Sequence, residues 1–276
     1  MKRACREYSP CSPAERPLLY DLAYNVFDIP GECHQLLALA ERHGLSRVQR
    51  VLDLGCGTGH HAVYLASLGL SVIAVDRDPH MLRHARRLAR QTRRGGGAIK
   101  FVNGDMRERN FARPVDLGIC MGASFNSLIT ERDAARTFDA IGAVLEPGGV
   151  FLLELHDPRT TYGKDLTAHW TVDTATARVH GLFKMVPRAA GHYRWDIAVK
   201  AEFAEGRKRS TLLRTQARPW TRRDIERLCR VSGVLQLGGW HRFANFGESP
   251  RILAAFRRAQ QTAAGERGAV RAAGRR

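Results

Sequence analysis

Three glycines and two carboxylates are closely spaced in the stretch VLDLGCGTGHHAVYLASLGLSVIAVD. Gly55, Gly57 and Gly59 follow an apolar run, and an acidic residue stands on each side of them, at Asp53 and at Asp76. Glycines between a strand and a helix let a bound molecule approach the backbone closely. The stretch therefore predicts a site for a ligand that contains a nucleoside.

The spacing of the glycines distinguishes two kinds of ligand. A dinucleotide-binding turn has the pattern G-x-G-x-x-G, whereas here the third glycine comes one residue earlier and His60 occupies the place of a small residue. A buried Asp53 would repel a pyrophosphate, but it would stabilise an ammonium group of the ligand. The turn therefore favours a ligand that carries an amino acid, and it disfavours a nicotinamide oxidoreductase.

Alternating strands and helices must position this turn. Apolar strands are predicted at VLDLG, LSVIAVD, IKFVNGD, VDLGICM and VFLLELH, with helical patterns between them. These strands are apolar throughout rather than alternating, which is typical of a parallel sheet covered by helices on both faces. Residues 50–156 are thus predicted to form a doubly wound α/β sheet.

The remaining segments differ in character from this core. Short alternating segments such as YRWDIAVKAEF and RSTLLRTQARPW predict inserted antiparallel strands, which would form either a roof over the substrate pocket or a dimer surface. The predicted organisation is a helical lid over 1–45, a cofactor-binding core over 46–157, an antiparallel β insertion over 158–217, the last helix and two strands of the core over 218–257, and a disordered basic tail over 258–276.

A family resemblance follows from these motifs. DLGCGTG with Asp76, then NGDM, then LEPGGVFLLE, resembles the class I S-adenosylmethionine-dependent methyltransferases, in the expected order over residues 50–156. The N-terminus and the segment MGASFNSL resemble the small-molecule group, which includes sugar N-methyltransferases and glycine N-methyltransferase. The resemblance implies a seven-stranded Rossmann-like sheet, S-adenosyl-L-methionine as the cofactor, and methyl transfer to an N or O atom of a small molecule.

The resemblance also implies a role for each part of the turn. Asp53 and the glycines would hold the methionine part of the cofactor, and Asp76 would accept hydrogen bonds from both ribose hydroxyls. Asp105 and Met106 would lie along the adenine, and Met121 would border the transferring methyl group. The residues expected to contact the cofactor are Tyr20, Tyr24, Asp53, Gly55, Cys56, Gly57, Gly59, Asp76, Arg77, Met81, Gly104, Asp105, Met106 and Met121.

Several of these side chains also have ordinary structural interpretations. Asp105 could cap a turn, and Met106 or Met121 could fill the core. Tyr20 and Tyr24 are spaced four residues apart on one helix face, so they form either a lid over the cofactor or a packing pair. Cys56 is read as a small residue in the turn.

His156 is the candidate general base, because it directly follows the fifth strand at the edge where sites of this fold lie. A histidine in a loop without a catalytic role is an equally good interpretation. Methyl transfer depends largely on holding the reacting atoms in line, so a strong catalytic motif is not required. No metal site is predicted, because His156 and Asp157 are too few ligands to assign one.

The net charge of +17 raises the question of a nucleic-acid partner. Part of this charge lies in the C-terminal tail, and the arginines of RHARRLARQTRR surround an ordinary apolar helix stripe. A small-molecule acceptor is therefore favoured, with an RNA methyltransferase and an inactive cofactor-binding module as alternatives. The sequence shows no apolar run long enough to span a membrane and no secretory signal, so a cytoplasmic monomer or homodimer is expected.

Overall fold

The computed structural model describes residues 8–92, 96–108, 114–156, 166–246 and 249–259. The helices are α1 (Arg16–Ala23), α2 (Ile29–Arg42), α3 (His60–Ser67), α4 (Pro79–Thr92), α5 (Glu131–Val144) and α6 (Arg222–Ser232). The strands are β1 (Ser9–Pro10), β2 (Arg50–Leu54), β3 (Ser71–Asp76), β4 (Ile99–Asn103), β5 (Val115–Cys120), β6 (Leu145–His156), β7 (Leu166–Asp173), β8 (Ala177–Pro187), β9 (Tyr193–Phe203), β10 (Lys208–Ala217), β11 (Leu235–Phe246) and β12 (Ser249–Arg258).

Seven strands form the main sheet, in the order β11-β12-β6-β5-β2-β3-β4. The pairs from β6 to β4 are parallel, and β12 is antiparallel to both of its neighbours. The first strand of this sheet along the chain, β2, lies in the middle of the sheet. The chain then forms β3 and β4 on one side of β2 and crosses to form β5 on its other side. The strand order therefore changes direction between β2 and β5, and a cleft opens at the carboxyl ends of the strands at such a point. The predicted doubly wound α/β fold is confirmed.

The two faces of this sheet are buried in separate hydrophobic clusters. Val51 packs with α2 residues such as Leu36, whereas the next residue, Leu52, packs in the cluster that contains Phe138 and Trp220. Successive side chains of a strand point to opposite faces, so a strand covered on both sides is apolar at most positions instead of at every second one. This is why β2 shows no polar alternation in its sequence.

A second, five-stranded sheet has the order β1-β10-β9-β8-β7. The strands β7 to β10 form an antiparallel meander, as the alternating aromatic segments predict. The N-terminal segment, predicted to belong to a helical lid over 1–45, also contributes a strand, since Ser9–Pro10 pairs in parallel with β10. The strand is short and lies at the edge of the sheet, which is where a proline is tolerated because it cannot donate to the ladder.

The two helices predicted as one lid over 1–45 pack against different cores. Leu19 of α1 is buried against Val179 and Val199 of the second sheet, whereas Leu36 of α2 is buried in the main sheet. The Trp170 indole of β7 donates a hydrogen bond of 2.6 Å to the carbonyl of Ala23. The helix α1 is thus held mainly by the inserted sheet.

The boundaries of the C-terminal region follow clear sequence signals. The hydroxyl of Thr221 and the carboxylate of Asp224 form a capping box at the start of α6, and Gly233 ends this helix with φ of 64°. None of the described helices is long and apolar enough to cross a membrane. Asp157 and the predicted basic tail from residue 260 onward lie outside the described residues.

Candidate active site

Two cavities meet at the glycine turn, at the carboxyl ends of β2, β3 and β5. We call the cavity beside Asp53, Met121 and His156 the inner cleft, and the cavity beside Asp76 and Asp105 the outer cleft. Seven of the described residues line both cavities, namely Tyr20, Gly55, Gly57, Gly122, Ser124, Trp195 and Ile197. One elongated ligand can therefore lie across the turn and reach both cavities.

The three glycines of the turn have left-handed backbones, but the space around them differs. Their φ angles are 70° at Gly55, 53° at Gly57 and 85° at Gly59. A Cβ at Gly59 would lie 2.7 Å from the Cβ of Ala85, and one at Gly55 would lie 2.8 Å from the Cβ of Ser124. A Cβ at Gly57 would meet nothing within 4 Å. The open backbone at Gly57 is therefore where a ligand can approach.

Gly59 has a packing role in this arrangement. It is the N-cap residue of α3, and of the predicted cofactor residues it alone is absent from the lining of both clefts. Its lack of a side chain allows α4 to approach through Ala85. Gly59 therefore allows close helix packing. The third glycine of a dinucleotide-binding turn has the same role, although it stands one residue later in the pattern.

Asp76 supports the turn as well as facing the outer cleft. Its carboxylate accepts hydrogen bonds of 2.8 Å from the backbone N–H groups of Gly57 and Asp78. Burial raises the pKa of this carboxyl, and the two backbone hydrogen bonds partly offset the effect. A carboxylate has further acceptor capacity beyond these two bonds, so it can still accept from a vicinal diol.

Asp53 lies beneath the turn and is only 2% exposed. Burial and the charge of Asp76 together raise its pKa to about 6, although His61 lowers it. A cation in the inner cleft would favour the ionised form of this carboxylate. The pair of acids on either side of an open glycine thus fits a ligand with an ammonium group at one end and a ribose at the other.

The wall of the outer cleft contains the other predicted cofactor residues, Arg77, Met81, Gly104, Asp105 and Met106. The Asp105 carboxylate caps a turn by accepting from the Arg107 N–H at 3.0 Å, and it also binds the Arg107 guanidinium at 2.6 Å. The second partner of Arg107 is Asp133, at 2.9 Å. The structural interpretation of Asp105 is therefore correct, and its contact with an adenine remains a prediction.

Tyr20 and Tyr24 lie in the walls of the clefts. Their ring centroids are 4.4 Å apart, and Tyr20 lines both cavities. Tyr24 contacts Trp170 of the inserted sheet, with centroids 5.7 Å apart. Burial and the nearby charges of Asp76 and Glu154 raise the pKa of Tyr20 to about 12. The two rings therefore form a packing pair, and their role as a lid over the cofactor remains a prediction.

His156 lies in the inner cleft between two aromatic rings of the inserted sheet. Its ring stacks on Phe183 at 5.8 Å and meets the edge of Trp195 at 5.2 Å. Burial lowers the pKa of His156, so the ring is neutral at pH 7 and can accept a proton. Met121 is buried at the end of β5 and lines the same cavity.

Sequence reasoning missed an ionic cluster at the back of the inner cleft. Arg251 of β12 binds Glu154 of β6 at 2.7 Å and Glu32 of α2 at 2.5 Å. His61 contacts the other oxygen of Glu32 at 2.9 Å, and Glu154 also accepts from the Gly122 N–H at 2.9 Å. A signal was present, since Glu154 and Arg251 interrupt the apolar strands VFLLELH and RILAAF, and charges in such strands are seldom buried without a partner.

A second cluster connects the lid helix to the core. The Asp21 carboxylate of α1 contacts His60, and it contacts His84 at 3.0 Å. Burial opposes ionisation of Asp21, but the hydrogen bonds from both histidines outweigh it and lower the pKa of the carboxyl. No sequence motif links these residues, because the three lie on three different helices.

Comparisons with known proteins agree with this geometry. Residues 51–149 match the family model of a methyltransferase domain. They form a methyltransferase domain. The resemblance predicted from the glycine turn and the strand ends is thereby confirmed over this range.

The similar proteins of known activity match only part of their length. The chain is 34% identical over 109 residues to the glycine/sarcosine/dimethylglycine N-methyltransferase of Actinopolyspora halophila. The matched region covers 39% of this chain and 19% of that protein. The chain is 30% identical over 138 residues to the dTDP-3-amino-3,6-dideoxy-alpha-D-glucopyranose N,N-dimethyltransferase of Streptomyces fradiae, covering 49% of this chain and 51% of that protein. The matched regions thus span about half of these proteins or less.

Solved structures extend the likeness to the inserted sheet. Streptomyces venezuelae DesVI has a TM-score of 0.73 at 19% identity, over 87% of this chain and 97% of that chain. CalS10, an amino pentose methyltransferase from Micromonospora echinaspora solved with S-adenosylmethionine bound, has a TM-score of 0.70 at 22% identity, over the same shares. At this level of identity the likeness establishes the fold alone. The likeness extends over 87% of the chain and so beyond the matched residues 51–149.

Proposed function

We propose that the protein is an S-adenosyl-L-methionine-dependent methyltransferase that methylates a nitrogen atom of a small molecule. The observation that carries this proposal is the open backbone of Gly57, with the carboxylate of Asp53 on one side and that of Asp76 on the other. The methyltransferase domain match supports the reaction, and the N-methyltransferases among its relatives support nitrogen over oxygen.

The donor side of the site is the glycine turn with its two acids. In this proposal Asp53 binds the ammonium group of the cofactor, and Asp76 accepts from the ribose hydroxyls. When bound, S-adenosylmethionine supplies a methyl group on a positively charged sulfur. Because that charge disperses during transfer, the protein's task is to hold the acceptor in line with the methyl group and to exclude water.

The acceptor side is the end of the inner cleft at His156. The acceptor nitrogen uses its lone pair to form the new N–C bond as the S–C bond breaks, and its extra proton must then leave. We infer that a ring nitrogen of His156 takes this proton, which is supported by the position of His156 in the lining of the inner cleft and by the lowered pKa that keeps its ring neutral. The rings of Tyr20 and Tyr24 cover the donor side while this occurs.

Calorimetric titration tests the donor side directly. We expect micromolar binding of S-adenosylmethionine and no comparable binding of NAD. The Asp76→Ala variant should bind at least 10-fold more weakly, because it loses hydrogen bonds to a charged acceptor worth about 1.5–3 kcal/mol. Asp173→Ala, at an exposed ion pair on β7, is the control and should bind as the wild type does. Tight binding of NAD, or none of S-adenosylmethionine, would overturn the proposal.

Turnover to S-adenosylhomocysteine with a panel of small amines tests the transfer itself. His156→Asn should lower kcat by about 10²-fold, as for loss of a general base, with little change in cofactor affinity. Transfer that occurs only with RNA, and that falls steeply with salt, would indicate the alternative acceptor class instead. A cytoplasmic location and a monomeric or homodimeric state remain predictions of the sequence.

A further inference from the structure

We propose that the indole N–H of Trp195 binds an oxygen atom of the acceptor, close to the nitrogen that is methylated. Trp195 is then a specificity-determining residue, and the acceptor is an amine with a neighbouring hydroxyl, ether or carbonyl oxygen. This inference rests on the proposed function and narrows its substrate class. The observation behind it is a buried donor on a cleft-lining residue that has no partner among the described residues.

The indole nitrogen of Trp195 lies unpaired in a mainly apolar cluster. The residue is 7% exposed, and its Nε1 atom is buried with no hydrogen-bond partner in the described part of the chain. The other buried members of the cluster are apolar or aromatic, namely Ala123, Phe183, Met185, Tyr193 and Ala217. A buried donor without a partner retains the full cost of its desolvation. An aromatic hydrocarbon would pack here without that cost, so packing does not account for the N–H group.

Two other tryptophans show the usual arrangement of an indole inside a protein. Trp220 donates to the carbonyl of Leu128 at 3.0 Å, and Trp170 donates to the carbonyl of Ala23 at 2.6 Å. Buried tryptophan N–H groups generally find such a partner. Neither of these two residues lines the inner or the outer cleft, whereas Trp195 lines both. This difference indicates that the partner of Trp195 is a ligand.

The contacts of the Trp195 ring favour the acceptor over the cofactor as that ligand. Its centroid lies 5.2 Å from that of His156 and 5.7 Å from that of Phe183. Both of these residues line the inner cleft and not the outer one, at the end assigned to the acceptor. An oxygen bonded to Trp195 is therefore close to the nitrogen whose proton passes to His156. Because Nε1 is covered, the ring must turn for the bond to form, and such aromatic torsions have broad energy wells.

The NMR signals of the indole N–H groups test the bond in the full-length protein. The chain has four tryptophans, and Trp195→Phe identifies the signal of Trp195. In the protein saturated with S-adenosylhomocysteine, 2-(methylamino)ethanol should move this signal downfield, as a new hydrogen bond does. N-methylpropylamine, in which a methyl group replaces the hydroxyl, should not. The signals of Trp170 and Trp220 are internal controls, because their N–H groups are already bonded to carbonyls.

Calorimetry on the same complex measures whether this bond selects the acceptor. We expect 2-(methylamino)ethanol to bind at least 10-fold more tightly than N-methylpropylamine, because a site built to bond an oxygen rejects the analogue that lacks it. Trp195→Phe keeps an aromatic ring but removes the donor, and it should abolish this preference. Trp220→Phe is the matched control and should retain the preference.

Equal affinities of the two amines, including no measurable binding of either, would overturn the inference. A preference that persists in the folded Trp195→Phe variant would assign the selection to another group. A 10-fold loss of S-adenosylhomocysteine affinity in this variant would mean that the N–H binds the cofactor instead. If Trp195→Phe does not fold, phenylalanine variants of the other three tryptophans assign the signal, and an unmoved Trp195 signal rejects the bond.

The two proposals fail in different ways. Absence of S-adenosylmethionine binding rejects the proposed function before any acceptor is added. Binding of the cofactor without a preference for the oxygen-bearing amine rejects only the role of Trp195.

Discussion

The proposed donor side of the cleft and its proposed acceptor side differ in whether backbone atoms or side chains form them. The donor side is mostly backbone, with the open Cα of Gly57 and one carboxylate near the end of each of two neighbouring strands. The acceptor side is made of side chains, in which Arg251 and two acids from separate elements meet aromatic rings of the inserted sheet. The contrast suggests that the donor side can lose side chains with little effect on the fold, whereas the acceptor side helps hold the fold together.

The largest expected effect comes from Arg251→Met. The change leaves Glu32 and Glu154 buried without a cation, and breaking a buried ion pair in this way costs about 3–5 kcal/mol. Urea unfolding followed by tryptophan fluorescence measures the loss in the free energy of unfolding. Arg50→Met is the control, because its ion pair with Glu146 is largely exposed and is worth about 0–1 kcal/mol. A loss below about 1 kcal/mol for Arg251→Met would remove the contrast between the two sides.

Gly57→Ala should separate binding from stability on the donor side. The left-handed backbone costs an alanine about 1 kcal/mol of unfolding free energy, but the added methyl group stands in the open cleft. We expect affinity for S-adenosylmethionine to fall at least 10-fold, which corresponds to about 1.4 kcal/mol.

Gly206 provides a matched control for this variant. It has φ of 85° and open space at its Cβ position, and it lies in the turn between β9 and β10. Gly206→Ala should therefore lose the same stability and bind the cofactor normally. Equal affinities in the two variants would mean that no ligand approaches Gly57.

The same contrast between the two sides explains how much of each side can be predicted from the sequence. The donor side is local, since Asp53, the glycines and Asp76 are joined by short segments whose strand and helix patterns place them at one edge. The predicted strands of the main sheet were correct for the same reason. Arg251 and Glu32 are 219 residues apart, and only the closed sheet brings them together. Periodicity contains no information about which buried charge meets which partner, so this part required the structure.

The pH dependence of cofactor binding sharpens the assignment of Asp53. Burial raises its pKa to about 6 in the free protein, and an ammonium ligand requires the ionised form. Affinity for S-adenosylmethionine should therefore be constant near pH 7 and fall as the pH drops through 6, by about 10-fold at pH 5. Calorimetry between pH 5 and 7 measures the profile. Asp53→Asn should bind more weakly with a flatter profile, and an unchanged slope in this variant would assign the titration to another group.

The smallest expected effect concerns helix α1, which is predicted to act as a lid and contributes Tyr20 to the walls of both clefts. Asp21 joins it to α3 through His60 and to α4 through His84. The pKa of this carboxyl is lowered in the folded protein, so its contribution is present at neutral pH and is lost as the pH falls through the lowered value. Asp21→Asn keeps the size of the side chain but removes its charge.

We expect this variant to lose about 1 kcal/mol of the free energy that keeps α1 closed, because hydrogen bonds to a carboxylate are replaced by hydrogen bonds to a neutral amide. Hydrogen exchange of the α1 amides should then become about 5-fold faster, while the α2 amides, which pack in the main core, should be unaffected. Affinity for the cofactor should fall by a similar factor, since the closed lid brings Tyr20 over both clefts. Faster exchange without weaker binding would show that α1 closes the cleft without contacting the ligand, and would restrict the donor side to the turn and its two acids.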